Sequence, residues 1–163
     1  MRRNLLIPRR APRRTGPAPL SSRALLVVSQ TSAAPSPDAV ARAVEAAHGG
    51  PVTVMTVLLI HGSGLGVPHP GLLPTAQERE KGRTAIAAAI AAVEARSVPA
   101  RGEIAVTRSQ ARAIARTART VSADTVILDL PEAHGLRRLI EGDLAVQLRR
   151  RLRGDALVVP SVQ

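Results

Sequence analysis

Carboxylates crowd the late stretch VILDLPEAHGLRRLIEGD, among them Asp129, Glu132 and Asp143. An apolar, partly β-branched run ends at Asp129, so these acids fall where a strand gives way to a loop. Carboxylates grouped in this way suit a hard divalent cation, although no Asp-rich loop spacing accompanies them. They also suit an arginine, supplied by a partner or by Arg9, Arg10, Arg13 and Arg14 of the same chain. The third alternative is a solvated loop in which Asp143 caps the helix that follows.

The opposite charge is arranged with more regularity. Arg108, Arg112, Arg116 and Arg119 recur at intervals of four, four and three residues. On a helix they fall within one arc of roughly 80°. Ala111, Ile114, Ala118 and Val121 occupy a different arc and are expected to face a sheet. No acid occurs between Glu103 and Asp124, so the row has no carboxylate partner on its own helix. Arg149, Arg150, Arg151 and Arg153 form a second cluster. Such a face is either simply solvated or binds anions: RNA, an acidic protein or polyphosphate.

Other motifs point away from catalysis. HGSGLG, beginning at His61, follows a strand-like run but does not match G-x-G-x-x-G, and no Lys-Ser/Thr pair follows it. It reads as a loop over the end of a sheet. Ser63 near His61 lacks a third member, and no nucleophile elbow is present. His48, His61, His69 and His134 show no metal spacing. No enzymatic activity, cofactor or metal is expected.

The elements that position these residues alternate. ALLVVSQ, from Ala24, reads as a buried strand, and SPDAVARAVEAAHGG as a helix with Ser36 at the N-cap and Pro37 in its first position. PVTVMTVLLIHG is a second strand. TAQEREKGRTAIAAAIAAVEARS is a long helix opened by a capping box, Thr75 with Glu78. GEIAVTRS, QARAIARTARTVSA, DTVILDL, GDLAVQLRRRLRG and DALVVPS continue as strand, helix, strand, helix, strand. Five strands separated by crossovers of this length predict an α/β fold: an open five-stranded parallel sheet with helices on both faces.

Composition bounds the rest. The 163 residues carry a formal charge of +11 and are 45% apolar, enough for one domain with a core. No run of about 18 apolar residues exists to span a membrane. Without Cys there are no disulfides and no thiol chemistry. Without Phe, Trp or Tyr the main aromatic platforms for base stacking are missing. Seven Arg and no acid fall in residues 1–23, leaving 16 basic against 12 acidic side chains in residues 24–163. Residues 1–22 are Pro/Arg-rich and read as a disordered basic arm, with residues 23–163 as the domain. The arm binds an anion, is a passive tail, or comes from an over-called start. No apolar segment of about 7–15 residues follows its twin Arg as a secretory signal requires, so a cytoplasmic location is expected. Heavy use of Ala, Arg, Gly and Pro suggests a GC-rich bacterial source.

The order and lengths of the elements over residues 24–159 resemble the universal stress protein family. ARAIARTARTVSADTVILD resembles its helix-to-Asp-to-strand passage, and GLRRLIEGDLAVQLRRRLRGDALVVP its closing loop, helix and strand. The resemblance implies a five-stranded parallel sheet and a homodimer formed through the last strand, here from Ala156 to Pro160. One branch of the family binds ATP with the pattern Gly, two residues, Gly, nine residues, Gly, Ser/Thr. Anchored on Gly142, that pattern meets Asp129, Glu132 and Asp143 at its other three positions. The family's Asp at the end of strand one is replaced near Ser29. Glycines in such loops let backbone N–H groups approach phosphate closely, and carboxylates add bulk and the wrong charge. The expectation is a stress-type binding or regulatory protein that has lost ATP binding and acts through a partner. The alternative is a basic accessory protein of an RNA-containing or other large assembly, anchored by its arm and its Arg-rich helix face.

Overall fold

The computed structural model describes residues 23–60, 73–130 and 144–160. Five strands and four helices alternate along them: β1 (Ala24–Val28), α1 (Pro37–Ala47), β2 (Val52–Leu59), α2 (Ala76–Glu94), β3 (Ala100–Thr107), α3 (Gln110–Thr120), β4 (Thr125–Asp129), α4 (Leu144–Leu152) and β5 (Leu157–Pro160). The predicted α/β architecture is the one observed. All four strand pairings are parallel, in the order β3-β2-β1-β4-β5. The third strand starts two residues earlier than the sequence pattern indicates, at Ala100, because it pairs with β2 from Val52 onward. The fifth starts two residues later than the sequence pattern indicates, at Leu157.

The strand order decides which helices share a face. The chain moves outward from β1 to β3, returns to lie beside β1, and then moves outward again to β5. Right-handed crossovers therefore put α1 and α2 on one side and α3 and α4 on the other. Alternation along β1 serves both layers. Ala24, Leu26 and Val28 pack with Ala39, Val40, Ala43, Ile86 and Ala89. Leu25 and Val27 pack with Ile114, Ala118, Leu148 and Leu152. Every residue of β1 is buried, which explains its unbroken apolar run.

A core without aromatic rings must be made dense by close approach. At Gly102 an added Cβ would lie 2.3 Å from Ile86 Cγ2, so α2 sits almost on the backbone of β3. Helix starts are fixed locally. Thr75 Oγ1 accepts from the Glu78 N–H at 3.1 Å while Glu78 Oε2 accepts from the Thr75 N–H at 2.7 Å, the expected capping box. Ser36 Oγ accepts from the Ala39 N–H at 3.2 Å, and Pro37 follows it. Helix α1 ends at His48, whose φ of 43° is left-handed, so a His and not a Gly makes the cap. Among the described residues no helix is long and apolar enough to cross a membrane.

Candidate functional site

In an open parallel sheet, ligands settle beyond the carboxyl ends of the strands where the strand order reverses. Here that point lies between β1 and β4. Val28 is in register with Asp129, and the Ser29 N–H donates to the Asp129 C=O at 3.2 Å. Asp129 is 2% exposed. Its Oδ2 accepts from the Ser36 N–H at 2.8 Å, at the start of α1. The helix end that would offer donors to an anion is thus met by a carboxylate of the chain itself. Ser29 is also engaged: its hydroxyl lies 2.7 Å from Thr31 Oγ1 and accepts from the Thr31 N–H at 3.1 Å. Asp38, in the first turn of α1, pairs with Arg42 at 2.8 Å.

Glu132, Gly142 and Asp143 lie outside the described residues, as do Arg9, Arg10, Arg13 and Arg14 and the candidates His61, Ser63, His69 and His134. Among the described residues no group of three or more His, Asp or Glu is placed to hold a metal ion.

The arginines assemble on the other side of the sheet. Arg112, Arg116 and Arg119 are exposed on α3, while Ala111, Ile114, Ala118 and Val121 are buried, as their spacing predicts. The exposed row faces the second cluster across the α3–α4 seam. Arg112, Arg116, Arg119, Arg150, Arg151 and Arg153 line one cleft of about 570 Å³, with Ala115 at its floor and Asp155 at its edge. Arg108, before the helix starts, is exposed but does not line it.

Local geometry fixes part of this cleft. Arg119 Nε lies 3.6 Å from Asp155 Oδ2, and the Arg119 guanidinium also donates to the Arg151 C=O. Arg153 and Gly154 both take positive φ, 49° and 89°, which turns the chain out of α4 and sets Arg153 and Asp155 beside α3. The two Arg runs are visible in the sequence; that they share a cleft is not, because it depends on the strand order. The signal available was the right-handed crossover rule, which puts both helices on one face.

At the end of the sheet where the strands start, Arg23 ties the chain to the end of α3. The Arg23 N–H donates to Asp124 Oδ2 at 2.9 Å, and its guanidinium donates to the Val121 C=O at 3.2 Å, just past α3. Residues 1–22 therefore join the domain next to the C-terminal end of the Arg-bearing helix. At the outer edge, the Leu157 N–H donates inward to the Asp124 C=O at 2.8 Å. Val158 alternates and turns its C=O outward, where Arg149 meets it at 3.3 Å. Leu157 is 65% exposed.

Comparison with known proteins agrees with this geometry. The model of the universal stress protein family matches residues 22–160. Among curated proteins none matches the chain. Among solved structures, a universal stress family protein from Burkholderia pseudomallei is 18% identical at a TM-score of 0.60, covering 89% of this chain and 98% of that one. The Archaeoglobus fulgidus universal stress protein in complex with dAMP is 17% identical at a TM-score of 0.60, over 86% and 98%. An Arabidopsis thaliana family member with AMP bound is 12% identical at a TM-score of 0.55, over 86% and 92%. At these identities the structural likeness concerns the fold alone. The family match over most of the chain goes further: this protein is a member of the universal stress protein family.

Proposed function

We propose that this family member does not bind ATP in its strand-end crevice, catalyses no reaction and acts as a regulatory protein through contact with a partner. One observation carries the reading: the buried Asp129 carboxylate stands at the strand-order reversal and takes the Ser36 N–H. A phosphate at that point would compete with the Asp129 carboxyl oxygen for the same donor. The sequence adds Glu132 and Asp143 at two more positions of the ATP-binding pattern. Relatives of the same fold have been solved with dAMP and with AMP, so AMP is the informative probe. Equilibrium dialysis of the full chain against labelled AMP, up to millimolar concentration, is expected to give no saturable binding. Saturable uptake that adenosine displaces would refute the reading.

The protein acts as a homodimer joined through β5. The exposed Leu157 supports this, since on an edge strand it is an apolar side chain without cover among the described residues. A second reading, an accessory protein of an RNA-containing assembly, is favoured by one placement. The Arg-rich residues 1–22 join the domain beside α3, whose exposed face carries the arginine row.

A further inference from the structure

The α3–α4 cleft sets six guanidiniums against one carboxylate, a net of five positive charges around about 570 Å³. Helix stability accounts for only part of this. Arg119, Arg150 and Arg151 stand in last turns, where a cation complements the helix dipole. Arg112 stands in the first turn of α3, where a cation opposes the dipole and no acidic residue offsets it. Its charge opposes the helix dipole and adds to the crowding of cations in the cleft, which a bound anion would relieve.

We propose that this cleft binds a compact chain of linked phosphates, either an inorganic oligophosphate or the phosphate tail of a nucleotide. Guanidinium groups hold phosphate oxygens in paired, parallel hydrogen bonds, and several converging groups select an anion of high charge and small size. Arg119 is already held by Asp155 and the Arg151 C=O, so part of the ordering cost is met before binding. The lining excludes other anions. Among the described residues Ala115 is the one apolar residue of the lining, and it is buried, so the side chains of an acidic peptide find little apolar cover. The chain has no Phe, Trp or Tyr, so nucleobases lack their usual stacking platforms. Helix α3 is 11 residues, about 16 Å long, a short track for an RNA strand. The site lies on the opposite face of the sheet from the β1–β4 crevice, and the proposal does not depend on the loss of ATP there.

The test is calorimetric titration of the full-length protein with tripolyphosphate, with ATP and with single-stranded RNA of several lengths. It compares Arg112→Ala/Arg116→Ala/Arg150→Ala with a charge-matched control, Arg79→Ala/Arg83→Ala/Arg96→Ala. All six positions are exposed, and circular dichroism checks that both variants fold. Tripolyphosphate is expected to bind once per chain. The cleft variant should lose affinity by at least about tenfold, because each charge-assisted hydrogen bond contributes on that scale. The control should change it by less than about twofold, the effect of screened distant charge. Equal affinity for ATP would identify the phosphate tail as the recognised group, and weaker binding of ATP would identify the inorganic chain. ATP retained by the cleft variant while tripolyphosphate is lost would support the cleft and refute the proposed closure of the crevice. Absence of tripolyphosphate binding, equal weakening by both variants, or affinity that appears only with RNA and grows with its length would each overturn the proposal.

Discussion

Asp129 is the residue at which the chain departs most informatively from a nucleotide-binding sheet. It ends a central strand, is almost fully buried, and holds the N–H that opens α1. Replacing it with Ala leaves that donor without its acceptor, at a cost of about 1–3 kcal/mol. Asp129→Asn keeps an oxygen there and is expected to recover most of the loss. Urea unfolding checks this: the midpoint should fall for Ala with an unchanged slope, and fall little for Asn. An Ala variant as stable as the parent would show that the contact contributes nothing. The strand-end position of Asp129 is legible in the sequence, since the apolar run stops there. Its partner is not, because Ser36 lies 93 residues away and only the β1–β4 pairing brings the two together. The sequence reading of Ser36 as a helix cap is correct and incomplete, since the same residue also receives Asp129.

At the level of elements, the β5 edge sets the terms of the proposed homodimer. The Arg149 guanidinium occupies the outward C=O of Val158, and Pro160 has no N–H to offer. Both features discourage further backbone pairing, as protected edges do. A dimer through β5 must therefore depend on side chains, with Leu157 the largest exposed apolar group on that strand. Sedimentation equilibrium of the parent should give the mass of two chains, and Leu157→Asp the mass of one. An unchanged dimer in the variant would remove β5 from the interface. The existence, type and order of the elements are legible from periodicity and caps: Thr75 with Glu78 and Ser36 with Pro37 start helices where expected. The start of β3 is less so. Residues Ala100 and Arg101 lie before the apolar pattern begins, and register with Val52 and Thr53 recruits them.

For the molecule as a whole, the sheet separates two electrostatic environments. One face and the strand-end crevice carry Asp129 and Asp38; the other carries the arginine cleft, with residues 1–22 joining near its end. Each Arg run is legible as an exposed helix stripe, and sequence reasoning treats them as separate clusters. Their union follows from strand order, a property of the whole fold that no local pattern contains. The central claim is that a phosphate-bearing ligand is refused by the crevice and taken by the cleft. The most direct test is an amide NMR titration of the full-length protein with ATP. Shift changes are expected only at Arg112–Arg119 and Arg150–Asp155, with Ser29, Ser36 and Asp129 unmoved. Saturable changes at Ser29, Ser36 and Asp129, with the α3–α4 seam unaffected, would contradict it.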